Sequence, residues 1–165
     1  MNEEERYLFD LNGYLIVEDV LSQSEISSLN EAVDSYSEGT VRVEDREKES
    51  TALRGEIVRE DLEGMLMWPK PWCQPFRDLV EHPKMVPYLT ELLGGKYLLD
   101  HLYGILMSKG AEGLHLHGGG AETHDLAATQ FFYRYHHGKM RNGLTVTSFM
   151  LSDEGPGDGG FMCIP

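Results

Sequence analysis

A mainly β chain behind a helical preface, an α+β arrangement, is what this sequence predicts, and three observations predict it. Up to about residue 93, apolar residues recur at helical spacing. From Tyr97 onward the apolar runs turn short, extended and rich in β-branched and aromatic side chains. Of the eighteen glycines, ten crowd into the last third, where they serve turns and close backbone packing better than long helices. Helices first and antiparallel-looking strands later is the segregation of an α+β fold, or of an all-β barrel with helices ahead of it. With 165 residues, one domain covering 1–165 is expected, helical over 1–95 and strand-forming over 96–165.

The elements follow in order. Glu3 to Leu11 reads as a helix with Tyr7, Leu8 and Leu11 on one side, ended by Asn12-Gly13, residues that tolerate the left-handed conformation. Tyr14-Leu15-Ile16-Val17 is strand-like. Ser22 and Glu25 have capping-box spacing, and Ile26, Leu29, Ala32 and Val33 continue at helical intervals to about Tyr36. Residues 37–61 are polar and aperiodic: a solvated loop, or a lid over a site, in which case Arg54 and Arg59 would meet an anionic substrate. Pro69 to Pro75 is loop-like, with Trp68 and Trp72 close by. Phe76–Val80 and Pro83–Leu93 read as helices, the second closed by Gly94-Gly95. The strand candidates are Tyr97–Met107, Gln130–Tyr135, Leu144–Leu151 and Phe161–Ile164, of which Leu144–Leu151 alternates most clearly.

Composition excludes several classes. Hydrophobic residues make up 41% and charged residues 25%, with a formal net charge of −14. Such a chain repels nucleic-acid phosphates and anionic membrane. No apolar run approaches the roughly 18 residues of a membrane span. Met1-Asn2-Glu3-Glu4-Glu5 lacks the apolar stretch of a secretory signal. Two cysteines far apart, Cys73 and Cys163, suggest reduced thiols and a cytoplasmic setting. The apolar flanks of Cys163 favour a buried, inert thiol.

Histidine carries the chemical signal. Of seven histidines, five lie between His115 and His137. His115-Leu116-His117 would place two imidazoles on one side of a strand, and neutral imidazole suits Zn, Cu, Fe and Ni. Gly118-Gly119-Gly120 strips side chains from the approach to His117, or simply makes a turn. Glu122 and Asp125, on either side of His124, offer a carboxylate that can complete a two-histidine, one-carboxylate face. His136-His137-Gly138-Lys139 reads as a solvent-exposed hairpin tip, His82 as structural, and His101 as a satisfied interior or edge histidine. Asp153 to Gly160 only superficially resembles a phosphate loop: it has no Lys-Ser/Thr ending, and its own carboxylates would repel a phosphate.

Three segments together resemble the phytanoyl-CoA dioxygenase family of iron(II)- and 2-oxoglutarate-dependent oxygenases. They are Phe9 to Leu29 with Gly13-Tyr14-Leu15-Ile16-Val17; Leu116-His117-Gly118-Gly119; and Asn142-Gly143-Leu144-Thr145-Val146 through Asp153, then Gly157-Asp158-Gly159-Gly160-Phe161 and Ile164-Pro165. The resemblance implies a partial double-stranded β-helix, a cupin-like jelly roll with flanking helices. It implies iron held by two histidines and a carboxylate, 2-oxoglutarate and O2 as co-substrates, a small organic substrate hydroxylated, and succinate and CO2 as co-products. His117 is the first iron ligand it implies. Aligned so, Gly119 occupies the place of the family's aspartate, as in related halogenases, and Glu122 or Asp125 becomes the substitute carboxylate. His115 is a further candidate ligand or an orienting partner. Tyr103, Gln130 and Asn142 are expected to line the co-substrate pocket. The family's distal histidine and 2-oxoglutarate arginine fall beyond Ile164-Pro165, so the chain reads as an N-terminal portion that is catalytically incompetent alone. A cupin-like metal protein without oxygen chemistry and a non-catalytic binding module are the alternative readings.

Overall fold

Each helix begins and ends for a local reason. The computed structural model describes residues 1–36, 40–42 (backbone only), 55, 59–114 and 132–164. Helix α1 spans Glu3–Asn12. The Glu5 N–H donates to Asn2 Oδ1 at 2.8 Å, and the Asn2 N–H donates back to the Glu5 carboxylate at 2.7 Å, a reciprocal box that satisfies two otherwise orphaned donors. Gly13 ends the helix at φ 76°. Helix α2, Gln23–Ser35, repeats the device with Ser22 and Glu25, as the spacing predicts. Strands β1 (Thr40–Arg42) and β2 (Glu60–Leu62) follow, then a single 3-10 turn at Met65–Met67. Helices α3 (Gln74–Val80) and α4 (Val86–Leu93) each carry proline in the first turn, where no backbone donor is missed. Gly94 ends α4 at φ 92°. Strands β3 (Gly104–Leu106), β4 (Arg134–His136) and β5 (Lys139–Arg141) complete the order.

Strands β1, β2 and β3 form an antiparallel sheet with β2 in the centre, Thr40 opposite Leu62 and Leu62 opposite Gly104. Its inner face carries Leu62 and Leu106 onto the helices. Leu29 and Ala32 of α2, Met65, Trp68, Cys73 and Phe76 of α3 pack there with Leu62. Trp68 sits between Tyr36 and Phe76, with ring centroids at 5.0 and 5.4 Å. Full burial of such side chains contributes about 1.5–3 kcal/mol each. Gly104 fits closely on this face: a Cβ there would lie 3.3 Å from Leu62 Cδ1.

Strands β4 and β5 make a separate hairpin. His137 and Gly138 occupy its tip at φ 53° and 71°, the paired left-handed conformation that two-residue hairpin loops demand. The hairpin tip expected at His136-His137-Gly138-Lys139 is therefore found. The hairpin docks through β5 on α4, with Leu92 and Met140 buried and the Asn142 N–H donating to the Leu92 carbonyl at 3.1 Å.

The mainly β, jelly-roll expectation is overturned. Among the described residues there are four helices and five strands of three residues each, in one three-stranded and one two-stranded sheet. Tyr14–Val17, Phe161–Ile164 and Leu144–Leu151 carry no ladder at all, and Tyr97–Met107 pairs only over β3. The physical reason is specific. Leu144–Leu151 does alternate, with Thr145, Thr147, Phe149 and Leu151 half-buried and the residues between them exposed. Alternation reports one buried face, whereas a sheet also needs a lateral hydrogen-bonding neighbour.

Candidate functional site

The outer face of the three-stranded sheet bears the most unusual side chains among the described residues. Leu62 faces the helices, so Asp61 and Arg59, one and three positions earlier, face the other way, as does Ile105, the cross-strand partner of Asp61. Arg59 Nη2 donates to Asp61 Oδ2 at 2.6 Å, and both side chains are buried. Asp61 Oδ1 is buried without a hydrogen-bond partner among the described residues, which costs about 1–3 kcal/mol. A buried ion pair of this kind is a poor source of net stability but a costly one to break. It also alters the sequence expectation for Arg59: its charge is neutralised by Asp61 rather than offered to an anionic substrate. Arg54 lies outside the described residues.

Just ahead of β3, His101 and Tyr103 stack at 5.4 Å with an interplanar angle of 18°. His101 Nδ1 lies 2.6 Å from Asp100 Oδ2, and both side chains are mostly exposed. His101 is thus a solvent-facing member of an Asp–His pair, not the interior or edge histidine expected from its apolar neighbours. Exposed pairs of this kind contribute little stability. The carboxylate nevertheless fixes the ring and leaves Nε2 as its second polar atom.

The remaining sequence candidates divide clearly. Tyr103 is partly exposed on the stacked pair. Asn142 is a structural pin: besides its backbone bond to Leu92, its side chain donates to Thr145 Oγ1 at 3.2 Å. Gln130 lies outside the described residues, as do His115, His117, Glu122, His124 and Asp125. Among the described residues no group of three His, Cys, Asp or Glu side chains is placed to hold a metal ion. His82 is buried; its Nδ1 accepts from the Lys84 N–H at 3.3 Å, its Nε2 lies 3.4 Å from Glu25, and Phe149 packs edge-on against it. This is the structural role expected of it. Cys73 is buried, but Cys163 is exposed beside the equally exposed Phe161, Met162 and Ile164, which corrects the buried-thiol expectation: apolar neighbours in sequence do not by themselves bury a residue.

The charges of α1 and α4 form a second polar network. Arg6 and the N-terminal ammonium both reach Glu91, at 2.6 and 3.0 Å, and Tyr88 donates to Glu5 at 2.7 Å. That hydrogen bond, together with the cap, holds the Glu5 carboxyl below its ordinary range. Burial raises the Glu91 carboxyl, but the ammonium and Arg6 outweigh it and the net shift is downward. The Ser22 hydrogen bonds, then His82, lower Glu25. Across the molecule the Tyr133 hydroxyl donates to Asp10; burial first and this bond second push the phenol up to about 12.

Sequence reasoning missed the Arg59–Asp61 pair, although Arg-x-Asp-Leu carries its signal. Alternation that buries Leu62 must place Arg59 and Asp61 together on the opposite face. No protein-family model, no curated protein and no solved structure matches this chain. No helix among the described residues is long and apolar enough to cross a membrane.

Proposed function

We propose that this chain serves a non-haem iron(II)- and 2-oxoglutarate-dependent oxygenase of the phytanoyl-CoA dioxygenase type, acting on a small organic substrate. One observation carries the reading: Leu116-His117-Gly118-Gly119, Asn142 to Asp153 and Gly157 to Pro165 occur in one chain in that order. His117 would supply a neutral imidazole to the metal, and the glycines that follow it in sequence would add no side chain to the approach. His115, two residues away in sequence, would be a second nitrogen donor, and Glu122 or Asp125 would bring the carboxylate. When bound, iron and 2-oxoglutarate would supply the activation of O2 that side chains alone lack.

The charge pattern bears on the substrate. A net charge of −14 and an Arg59 already paired with Asp61 favour a neutral substrate over a strongly anionic thioester. Asn142 would act indirectly in this reading, by fixing where the 144–151 segment starts.

The test is anaerobic titration of the purified chain with Fe(II), followed by 2-oxoglutarate. The expected result is saturable iron binding and a visible metal-to-ligand charge-transfer band when 2-oxoglutarate is added. Both should be lost in His117→Ala and kept in His136→Ala, a variant of the exposed hairpin tip. Equal iron affinity in wild type and His117→Ala would overturn the assignment.

A further inference from the structure

Among the described residues, 144–151 pair with no strand. Alternate residues are half-buried, as in a strand with one packed face, and Asn30 Nδ2 donates to the Leu151 carbonyl at 2.9 Å. Phe149 meets His82, and Asn142 ties the segment's start to α4. The segment is thus anchored near both ends before any partner arrives, which lowers the entropy cost of pairing. No ladder passes through it, and Val146 is 72% exposed on its outward face. It has none of the charges, prolines or bulges that normally protect an edge.

Charge chooses the partner. From Asn142 to Ser152 the sequence is uncharged, within a chain of net charge −14. Lys139 and Arg141 precede this stretch; Asp153 and Glu154 follow it. A strand positive at one end and negative at the other is complementary to itself when antiparallel and repulsive to itself when parallel. We propose that 144–151 is a self-pairing surface, and that two copies of this chain join there antiparallel about a two-fold axis at Thr147. In this register Leu144 faces Met150 of the second copy and Val146 faces Ser148; beyond the bends at Gly143 and Ser152, the end that carries Arg141 approaches the end that carries Asp153. A slip of one residue would set outward side chains against inward ones. Among the described residues the Arg141 guanidinium donates to the neighbouring Met140 carbonyl, a contact that leaves its charge available to Asp153. The inference uses geometry and charge alone and stands apart from the oxygenase proposal.

Sedimentation equilibrium of the intact chain tests it, together with disulfide trapping in a Cys163→Ser background, since Cys163 is exposed and Cys73 is buried. A concentration-dependent dimer is expected. Arg141→Asp should weaken it by roughly three- to tenfold, as like charges placed opposite one another on two symmetric pairs would, and adding Asp153→Arg should restore it. Thr147→Cys should form an intermolecular disulfide on oxidation, and Met150→Cys, far from its own symmetry mate, should not. A wild-type chain that stays monomeric to several hundred micromolar, on the order of the weakest useful association, would overturn the proposal. So would equal trapping at Thr147→Cys and Met150→Cys.

Discussion

The helical layer and the extended segments of this molecule are built by different rules. Helices α1 and α2 close their own hydrogen bonds and carry their own caps, so a dozen residues hold nearly everything that specifies them. Leu144–Leu151 has an equally clear pattern and ends with one face packed and no ladder. A helix needs partners for its side chains alone; a strand needs them for its side chains and its backbone. The difference teaches that apolar alternation foretells which face is buried and leaves open what lies alongside.

The most severe way to break the packed region is at its aromatic centre. Trp68→Ala should cost about 3–5 kcal/mol, as large-to-small aromatic changes in cores do, read as a lower denaturant midpoint. Next comes the buried pair behind the sheet. Asp61→Leu leaves Arg59 charged and alone, and should cost about 3–5 kcal/mol; adding Arg59→Met should recover most of that loss. If the single variant is as stable as wild type, the pair is not buried as described.

Smaller changes sharpen the contrast. Ser22→Ala removes the α2 cap and should cost about 1 kcal/mol. Val146→Thr, on the outward face of the unpaired segment, should change the stability of the monomer by less than about 0.5 kcal/mol. Equal effects of the two would erase the distinction between regions.

Titration separates two docking contacts. The Glu5, Glu25 and Glu91 carboxyls are held low in the folded chain. Their contribution is present above the ordinary carboxylate value of about 4.3 and is lost as pH falls through the lowered folded values. Tyr133 is raised, to about 12. Its contribution is therefore intact below the ordinary phenol value of about 10 and fades as pH climbs toward 12. Stability measured against pH should decline at both extremes, and Tyr133→Phe should remove part of the alkaline decline while leaving the acid one.

What was legible in the sequence follows the same division. The Ser22–Glu25 box, the stop at Gly13, the closure of α4 at Gly94 and the His137-Gly138 tip are all written in neighbouring residues. The Asn2 cap was equally local but sits ahead of the apolar pattern that drew the boundary. The expected barrel is absent, and the sheet that does form was not legible, because strand pairing joins residues distant in sequence: β2 pairs with β3 across some forty positions. Cys163 and His101 were misplaced for a related reason, since their apolar neighbours say nothing about whether a second layer covers them. Of the candidate site, Tyr103 and Asn142 are located, and Asn142 proves to be a pin. The imidazoles and carboxylates from His115 to Asp125 lie outside the described residues.

Hydrogen exchange across the chain, at a concentration low enough to keep it monomeric, tests the central contrast most directly. The account predicts slow exchange for the amides of α2 and rapid exchange for those of 144–151, despite the ordered side chains of the latter. Protection of 144–151 as strong as that of α2 in the monomer would mean that this strand already has a partner, and would contradict the account.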